Sequence, residues 1–462
     1  MYFVDSLLLN GYAIAPMLSP MSPFPRFLSR LPFFRRFLDK RPAPGLPAPG
    51  SGDPPERGFR IAIIAGEPSG DRLGAGLLQA MIRQWEQHPD LGRTRIRIEG
   101  IGGPRMMAVG CHSLYPMERL SVAGLSEALA RVPELLRLRT RLIRRFRADP
   151  PDVFIGIDAP DFNLYLEKKL RERGIPVVHY VSPTVWAARG YRIEKIARAV
   201  DLMLTLFPFE EAIYQKNRIP VRFVGHPLAD EIPQVSGERA PDERAPDKDR
   251  ARRELALPSA GKVVALLPGS RMNEVQSMAE PMLRAARWIA ERRPEVRFAA
   301  PFINAVTRRH FEEVRARVAP DVAITVLDKQ SRTAMTAADA VLVAAGTATL
   351  EALLLERPMV IALRVATLTY HLGRAIATVE FVGLPNLLAG RALAPEFIQR
   401  EATPERLGQA ILAILDHPEA WTETRAEFRR IGALLRRNAD ESAATAVLNH
   451  LDKLDKSGGP DK

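Results

Sequence analysis

The sequence predicts an α/β protein with two Rossmann-like, doubly wound domains, and three observations support this fold class. The chain has 462 residues, 46% of them hydrophobic, which is enough to bury two cores. From Arg60 onward, short β-branched runs alternate with amphipathic helical stretches, a pattern typical of parallel sheets with crossover helices. An almost wholly polar segment, 236–250, interrupts that pattern near its middle. We expect the two domains to face each other across a cleft, because such sheets bind ligands at the carboxyl ends of their strands.

The same pattern divides the chain into five parts. Residues 1–57 are first apolar, then basic, and finally rich in Pro and Gly, so we expect a disordered or membrane-surface extension. The charged stretch after residue 402 is expected to be helical, and either to cap the second domain or to cross back over the first. The parts are the extension, a first domain, an inter-domain loop, a second domain and a C-terminal helical segment: 1–57, 58–235, 236–260, 261–402 and 403–462.

Composition excludes several classes of protein. The single cysteine, Cys111, permits no intrachain disulfide, which suits a reducing cytoplasm. The sequence has no uncharged apolar stretch of about 18 residues and no positive segment before its apolar start, so it predicts neither a transmembrane helix nor a secretory signal. A net charge of +12 suits nucleic acid, an anionic membrane or phosphorylated small molecules. Zinc-finger, RNP and basic-zipper patterns are absent, so no nucleic-acid partner is predicted.

The turn after the first predicted strand has the sequence AGEPSGDRLGAGLL, over 65–78. Its glycines permit a tight turn, and Ser69 or Asp71 is expected to cap the helix that follows. Glu67 stands at the strand end, where a carboxylate is useful for contacting an acceptor substrate. A capped turn without a ligand explains the same residues equally well, so both interpretations stay open at this motif.

A second glycine-rich turn, GIGGPRMMAVG over 100–110, follows the next predicted strand. Gly102 and Gly103 carry no side chains, so their backbone N–H groups are able to approach a ligand, and such concavities suit anions. A glycine-rich turn that binds nothing is an equally good interpretation of this motif alone.

Two carboxylates follow a later strand, in GIDAPDFN over 156–163. Asp158 ends the predicted strand, whereas Asp161 is expected to cap the next helix. A carboxylate at the cleft can take the proton of an acceptor hydroxyl as the new bond forms. Because a sugar hydroxyl is a very weak acid, such a base helps mainly in the transition state. We therefore predict that Asp158 is the general base, with two helix caps as the alternative.

The second half of the chain contains LLPGSRMNEV over 266–275, where a buried strand runs into a Pro-Gly-Ser-Arg turn and then a helix. This geometry aims backbone N–H groups and a helix N-terminus at a phosphate. Arg271 adds a planar positive group for diphosphate oxygens, and Ser270 adds a hydroxyl donor. With Glu274 in the first helical turn, these are the predicted donor-binding residues of this loop. The alternative is an ordinary capped turn with a solvated arginine.

A second candidate anion site lies in AAGTATLEALLLERPMV, over 344–360. Gly346 and Thr347 open a helix after a strand, and Glu351 lies one turn inside it. A carboxylate there can accept hydrogen bonds from both hydroxyls of a ribose, although an exposed helical glutamate is the simpler alternative. With Arg271 in the same domain, the segment indicates a nucleotide-sugar site.

The loop GLPNLLAGRALAPEFIQ, over 383–399, presents the amide of Asn386. That amide is predicted to bond the diphosphate or sugar of the donor, with an Asx-type turn as the alternative. No metal-ligand spacing such as H-x-x-x-H or H-E-x-x-H occurs in the sequence, so we expect no metal and no other cofactor. Arg271 and the helix termini are then expected to stabilise the charge of the leaving group.

The segment 131–147, RVPELLRLRTRLIRRFR, contains seven arginines and is predicted to be a basic amphipathic helix. Its predicted apolar face consists of Val132, Leu135, Leu136, Leu142, Ile143 and Phe146. Two interpretations stay open: a packed surface helix with solvated arginines, or docking to a membrane surface. The residues predicted for a membrane or acceptor surface are Leu120, Val122, Leu125, Arg137, Arg141 and Arg144.

Taken together, the motifs resemble those of the lipid-A-disaccharide synthase family. The resemblance runs from about residue 60 to about residue 450, and it is specific because many motifs keep their order. They are AGEPSGDRLGAGLL, GIGGPRM, LSVAGLSEAL, PDVFIGIDAPDFN, HYVSPTVWA, FVGHPLAD, LLPGSR, GTATLE and LPNLLAGR.

The resemblance implies a GT-B fold and an inverting hexosyl transfer. The implied donor is UDP-2,3-diacylglucosamine, and the implied acceptor is 2,3-diacylglucosamine 1-phosphate. It also implies a homodimer with exchanged C-terminal elements and peripheral association with the cytoplasmic face of the inner membrane. By resemblance, Asp158 matches the general base, Glu67 an acidic residue needed for activity, Arg271 and Asn386 donor-site positions, and Glu351 the ribose ligand.

Two departures from the family pattern concern Ala188, where a second tryptophan is usual, and Leu363, where a tyrosine is common. They bear on acyl-chain preference more than on the reaction.

Two other hypotheses about the function stay open. The chain could be a UDP-N-acetylglucosamine 2-epimerase-like enzyme, or a non-catalytic nucleotide-binding protein of the membrane surface.

Overall fold

The computed structural model describes residues 58–87, 95–120, 125–183, 191–233, 247–365 and 380–457, without the side chains of 125–130, 191–192 and 455–457. These residues form two compact units. The first unit comprises the described residues up to Pro227 together with those from Arg437 onward, and the second comprises those within Leu228–Arg436. Each unit contains one parallel sheet, which confirms the predicted α/β class with two doubly wound domains.

The first unit is built on a seven-stranded parallel sheet of order β3-β2-β1-β4-β5-β6-β7. Its elements up to Pro227 are β1 (Phe59–Ala65), α1 (Pro68–Gln87), β2 (Ile96–Ile101), α2 (Pro104–Ala108), β3 (Cys111–Ser113), α3 (Leu125–Ala148), β4 (Val153–Ile157), α4 (Pro160–Arg171), β5 (Val177–Tyr180), α5 (Tyr191–Ala199), β6 (Leu202–Thr205), α6 (Pro208–Lys216) and β7 (Val221–Phe223), with a 3₁₀ turn at Met117–Arg119.

The second unit is built on a six-stranded parallel sheet of order β10-β9-β8-β11-β12-β13. Its elements are α7 (Pro227–Glu231), α8 (Lys248–Glu254), β8 (Val263–Leu267), α9 (Met272–Ala290), β9 (Arg297–Phe302), α10 (Ala305–Val318), β10 (Ile324–Asp328), α11 (Ser331–Ala337), β11 (Ala340–Ala344), α12 (Thr347–Leu354), β12 (Met359–Leu363), α13 (Leu384–Ala389), β13 (Glu396–Ile398), α14 (Pro404–Asp416) and α15 (Thr422–Leu435), with 3₁₀ turns at Gln399–Glu401 and Pro418–Trp421.

The central strands are apolar because helices cover both faces of each sheet. Every residue of β4 and of β8 is buried, and their sequences are VFIGI and VVALL. Strand order reverses between β1 and β4 in the first sheet and between β8 and β11 in the second. Loops on either side of such a switch point diverge and leave room for a ligand at the carboxyl ends of the strands.

The inter-domain loop predicted over 236–260 is corrected by the structure. Residues 234–246, which hold most of the ERAPD repeat, lie outside the described ranges, but α8 begins at Lys248 and belongs to the second unit. Its buried Arg252 donates to Asp339 at 2.7 Å and to the carbonyl of Ala337 at 3.1 Å. These long-range bonds attach the helix to the unit that follows it.

The C-terminal segment divides between the units. α14 and α15 belong to the second unit, whereas the last helix, α16 (Ala439–Ser457), packs along α1 in the first. Glu441 accepts from Arg83 at 2.6 Å and from Gln84 at 2.7 Å. The sequence left two alternatives for this segment, namely capping the second domain or crossing back over the first. The final helix follows the second alternative. None of the helices within the described ranges is long and apolar enough to span a membrane.

Candidate functional site

The two predicted carboxylates of the first unit follow the two strands that flank its switch point. Glu67 comes after β1 and Asp158 directly after β4, and these strands pair in parallel with Ala65 opposite Ile157. A Cβ at Gly66 would lie 3.0 Å from the Cβ of Ala159. The absence of a side chain at Gly66 therefore lets the two loops approach closely, which brings the carboxylates within electrostatic range of each other.

Burial controls the protonation of this pair. It raises the pKa of Glu67 to about 7, and the neighbouring charge of Asp158 adds to the rise. Burial also raises the pKa of Asp158, although His179 and the N–H of Ala159 oppose that rise. A carboxylate with a raised pKa is a stronger base than an exposed one, and a second carboxylate that remains partly protonated near neutrality can donate a hydrogen bond.

The backbone at Asp158 is unusual. Asp158 and Ala159 both have left-handed conformations, with φ values of 50° and 45°. Asn163 donates its amide to the carbonyl of Asp158 at 2.8 Å, and the N–H of Asp158 donates to Tyr180 at 2.9 Å. The N-cap residue of α4 is Ala159 and Asp161 is the second helical residue, which corrects the expectation that Asp161 is the cap.

Asp71 caps a different helix from the one predicted. It lies in the first turn of α1, but its buried carboxylate accepts from the N–H groups of Gly103 at 2.8 Å, Arg105 at 3.0 Å and Met106 at 3.0 Å. These are the first donors of α2. Asp71 thus ties the β1–α1 turn to the start of the neighbouring helix.

The glycine-rich turn after β2 is not the open anion site that was considered. The N–H of Gly103 is bonded to Asp71, and that of Gly102 donates to the hydroxyl of Ser113 at 3.2 Å. Both groups are therefore occupied by the protein itself, and the interpretation as a structural turn describes this motif.

The Pro-Gly-Ser-Arg loop of the second unit follows β8, beside its switch point. Glu274 accepts from the N–H of Ser270 at 2.7 Å and from that of Arg271 at 3.2 Å. Gly269 has φ 130°, and any Cβ there would overlap the side chain of Glu274. Two of the N–H groups that were expected to face a phosphate are therefore bonded to Glu274, whose role in the structure is to hold the loop.

The loop after β11 lies on the other side of the same switch point, since β8 and β11 pair in parallel. Gly346 is the N-cap residue and Thr347 the first residue of α12, as predicted. The hydroxyl and N–H of Thr349 both donate to the carbonyl of Gly346, at 2.7 and 3.1 Å. Glu351 is half-buried in the following turn. The candidate donor residues of both loops thus lie at one edge of one sheet.

Asn386 is a structural residue, which corrects the expectation of a direct donor contact. Its side chain is fully buried, and its amide donates to Ala394 at 2.8 Å and to Glu396 at 2.7 Å. Its oxygen accepts from the N–H groups of Leu393 at 2.7 Å and Ala394 at 2.9 Å. All four hydrogen bonds lie within its own loop, so the amide has no group left for a ligand.

A family model described as lipid-A-disaccharide synthetase matches residues 61–449. The lipid-A-disaccharide synthases of Hahella chejuensis and Pseudomonas aeruginosa are 46% and 48% identical to the chain, and each alignment covers 86% of this chain and 96% and 99% of those proteins. The chain belongs to the lipid-A-disaccharide synthase family. The family suggested by the sequence motifs is thereby confirmed, and the chain is a glycosyltransferase of lipid A disaccharide synthesis.

Solved structures similar to this member of the lipid-A-disaccharide synthase family show the fold. The glycosyltransferase of kitacinnamycin superposes with a TM-score of 0.54 at 15% identity and covers 85% of this chain and 99% of its own. UDP-GlcNAc 2-epimerase from Neisseria meningitidis superposes with a TM-score of 0.53 at 11% identity, and the match covers 86% of this chain and 100% of the epimerase chain. At such identities the likeness shows only the shared two-domain architecture, and it does not separate transferase from epimerase.

The basic helix α3 of this family member packs its apolar face into its own domain. Leu138, Leu142 and Phe146 are buried, and the ring of Phe146 contacts that of Phe154 in β4 at a centroid distance of 6.0 Å. Arg139 is also buried, with its guanidinium 4.0 Å from the ring centre of Tyr165. The packed-helix interpretation therefore describes this apolar face.

The residues predicted for a membrane surface are described only in part. Arg144 is exposed, while Leu120, Arg137 and Arg141 are half-buried. Val122 lies outside the described residues, as does the side chain of Leu125, the first residue of α3. Membrane contact through this surface therefore stays a prediction.

Sequence reasoning missed two buried residues next to Asp158. His179 lies in β5 and Glu167 in α4, and His179 Nδ1 is 2.6 Å from Glu167 Oε1. His179 belongs to the quoted HYVSP motif, but neither residue was a candidate. The available signals were a histidine inside a buried strand and a glutamate on the buried face of a helix, since such groups are rarely buried without partners.

Proposed function

We propose that this enzyme transfers a diacylglucosaminyl group from UDP-2,3-diacylglucosamine to 2,3-diacylglucosamine 1-phosphate. The acceptor hydroxyl oxygen attacks the anomeric carbon of the donor, the bond from that carbon to the diphosphate breaks, and UDP leaves. Asp158 takes the hydroxyl proton. A single displacement inverts the anomeric configuration and gives the β-1,6-linked disaccharide 1-phosphate. The supporting observations are the family membership and the carboxylate pair at the switch point.

The carboxylate pair is the observation that carries the proposal. Asp158 is the stronger candidate for the base, because His179 and the N–H of Ala159 favour its ionised form despite burial. Glu67, with a pKa of about 7, is suited to donate a hydrogen bond to the acceptor in its protonated form. A positioned base contributes a factor of about 10²–10⁴ to the rate.

The second unit is proposed to bind the donor. Arg271, the N-cap residue of α9, is proposed to neutralise diphosphate charge, and the hydroxyl of the preceding Ser270 is proposed to donate a hydrogen bond to it. Gly346 and Thr347 open α12 at the neighbouring strand, where the helix N-terminus favours an anion. Glu351 is proposed to accept hydrogen bonds from the ribose hydroxyls.

Turnover of both acylated glucosamine substrates in detergent and EDTA tests the reaction directly. Disaccharide 1-phosphate and UDP are expected, and formation despite chelation would support chemistry that needs no divalent cation. Asp158→Asn is expected to lower kcat by a factor of about 10²–10⁴ while UDP affinity changes little. Asp152→Asn is the matched control, because Asp152 precedes the same strand and bonds the N–H of Arg60 at its opposite end.

Donor binding is tested separately with Arg271→Ala, which is expected to weaken UDP binding. An epimerase would convert UDP-GlcNAc alone to UDP-ManNAc, and a non-catalytic protein would be indifferent to Asp158→Asn. Full turnover in the Asp158→Asn enzyme would remove Asp158 as the base, and UDP-ManNAc formation would favour the epimerase hypothesis.

Peripheral association with the cytoplasmic face of the inner membrane is proposed from the basic surface of α3. Acylated substrates require access to a bilayer, and the exposed Arg144 with the half-buried Arg137 and Arg141 gives this helix positive charge that favours anionic lipid. The enzyme is expected to sediment with anionic vesicles. This sedimentation should be lost in high salt and in a variant with Glu at Arg137, Arg141 and Arg144.

We further propose a homodimer in which α16 is exchanged, so that its contacts with α1 form between two copies.

A further inference from the structure

A buried ionisable pair lies next to the proposed base. Glu167 and His179 are both fully buried and are joined by a 2.6 Å contact between Oε1 and Nδ1. The second carboxylate oxygen of Glu167 has no hydrogen-bond partner within the described part of the chain. Burying two ionisable groups in a protein interior opposes folding unless their geometry compensates, so such a pair calls for a specific explanation.

The backbone makes room for this pair. Gly156 lies in β4 directly opposite His179 in β5. A Cβ at Gly156 would overlap Glu167 Oε1 and come within 3.3 Å of the Cβ of Asn163. Only glycine at this position lets the glutamate reach across the strand to the imidazole.

The pair lies next to the proposed base. Asp158 follows Gly156 by two residues on the same strand, and its N–H donates to the carbonyl of Tyr180, the neighbour of His179. Asn163, one helical turn before Glu167, holds the carbonyl of Asp158 at 2.8 Å. Residues of β4, β5 and α4 thus hold the backbone of Asp158 beside the Glu167–His179 contact.

We propose that His179, held by Glu167, is a positioning residue that keeps Asp158 in its ionised form. This inference rests on the proposed function, because it assigns a reason for Asp158 to act as a base although it is buried. The imidazolium provides the positive charge that a buried carboxylate otherwise lacks, and Glu167 fixes the ring and compensates the charge of the imidazolium. No proton beyond that of the acceptor hydroxyl has to move.

The electrostatics agree with this arrangement. Burial alone would lower the pKa of His179, but Glu167, Asp158 and the backbone of Val181 together raise it above its ordinary value. In return, His179 opposes the rise that burial causes in the pKa of Asp158. Among the described residues, Glu67 from the β1–α1 loop is a further carboxylate within electrostatic range of Asp158. From β6, the residue opposite His179 is the uncharged Met203.

The test is the pH dependence of kcat in His179→Gln and Glu167→Gln. Each substitution is expected to lower kcat by about ten- to a hundredfold, with the acceptor KM within about threefold of wild type. Each should also move the acid limb of the kcat profile to higher pH by about one unit, because Asp158 without an imidazolium neighbour is harder to ionise.

Glu210→Gln is the matched control. Glu210 is another buried glutamate of the same unit, and its carboxylate accepts from the backbone N–H of Phe207 at 3.1 Å. This variant is expected to lose stability without moving the acid limb. An unshifted acid limb in both His179→Gln and Glu167→Gln would overturn the inference, as would an equal shift in Glu210→Gln.

A second measurement keeps the inference testable if the variants fail to fold. Nitrogen-15 spectra of the wild-type histidines at pH 8 should contain one doubly protonated imidazole, assigned to His179. His226 is the opposite case, because burial lowers its pKa to about 3 and keeps it neutral. A spectrum with only neutral imidazoles would overturn the inference. Failure of the proposed function is distinguishable, because it would appear as full turnover in Asp158→Asn.

Discussion

Asp158 illustrates how backbone conformation, as well as residue type, defines the proposed base. Two consecutive left-handed residues that are not glycine cost about 1–3 kcal/mol each. The hydrogen bonds from Asn163 and to Tyr180 compensate by fixing the turn. The left-handed turn therefore ends the strand at Asp158, at the switch point where a ligand is expected.

Glu67 gives a prediction about pH and stability. Its folded pKa of about 7 exceeds the ordinary value of 4.5, so the folded state binds the proton more tightly than the unfolded state. The contribution of Glu67 to stability is therefore greatest below pH 4.5 and is lost as pH rises to about 7. Between these pH values the free energy of unfolding of the wild type should fall by about 2 kcal/mol more than that of Glu67→Gln.

Urea unfolding at several pH values between 4.5 and 8 measures this difference. Glu86→Gln is the control, because Glu86 is an exposed glutamate near the end of α1, the helix that begins directly after Glu67. Parallel stability curves for wild type and Glu67→Gln would contradict the prediction.

At the scale of elements, the sequence predicts strands and turns better than it predicts what their polar residues contact. Buried apolar runs such as β8 can be recognised as strands from the sequence, and so can the turn that follows each of them. Asp71, Glu274 and Asn386 were expected to cap their own helix or to contact a ligand. Instead Asp71 bonds the first N–H groups of α2, and the other two bond backbone groups of a loop. Asp71 meets Gly103, 32 residues away, and no local pattern encodes such a contact.

The site itself was predictable to a similar degree. Residues at strand ends, such as Asp158 and Arg271, follow from the rule that ligands bind at the carboxyl edge of a parallel sheet. Glu167 and His179 were not predictable, because their pairing depends on which helix packs over which strand. A buried histidine in a strand more often belongs to the core, and only the tertiary structure brings a carboxylate to it.

Asn386 supports a prediction at this scale. Asn386→Ala removes four hydrogen bonds and leaves buried partners unsatisfied, so the second unit should lose about 2–4 kcal/mol of stability. Asn217→Ala, at an exposed asparagine whose amide donates to the carbonyl of Ile213, should cost about 0.5–1 kcal/mol. Donor affinity should fall in Asn386→Ala because the loop loosens, and thermal unfolding with and without UDP measures both effects. Unchanged stability with weaker UDP binding would instead indicate a direct contact.

At the scale of the whole molecule, the chain does not fold as two consecutive segments. It leaves the first unit at Pro227, completes the second, and returns at Arg437 to lay α16 on α1. The predicted boundaries placed everything after residue 402 in one helical segment, because helical periodicity does not reveal which domain a helix packs against. Gly76 in α1 makes room for α16, since a Cβ at this position would overlap the side chain of Asp440.

The last helix therefore contributes to the stability of the first unit, whose other elements lie far from it in the sequence. A chain ending at Arg436 lacks the buried Ala443, Ala444 and Val447 and the bonds of Glu441. Its first unit should lose about 3 kcal/mol, which lowers the corresponding calorimetric transition by roughly 10 °C. A chain ending at Ser457 keeps α16 whole and should melt like wild type.

The same experiment separates an exchanged dimer from a helix that docks within its own chain. If α16 is exchanged, the contact with α1 forms only on association, so the wild-type Tm rises with protein concentration and the shortened chain is monomeric by light scattering. If α16 docks within one chain, the Tm is independent of concentration in both proteins. A shortened chain that keeps both the wild-type transition and the dimer would contradict a structural role for α16 altogether.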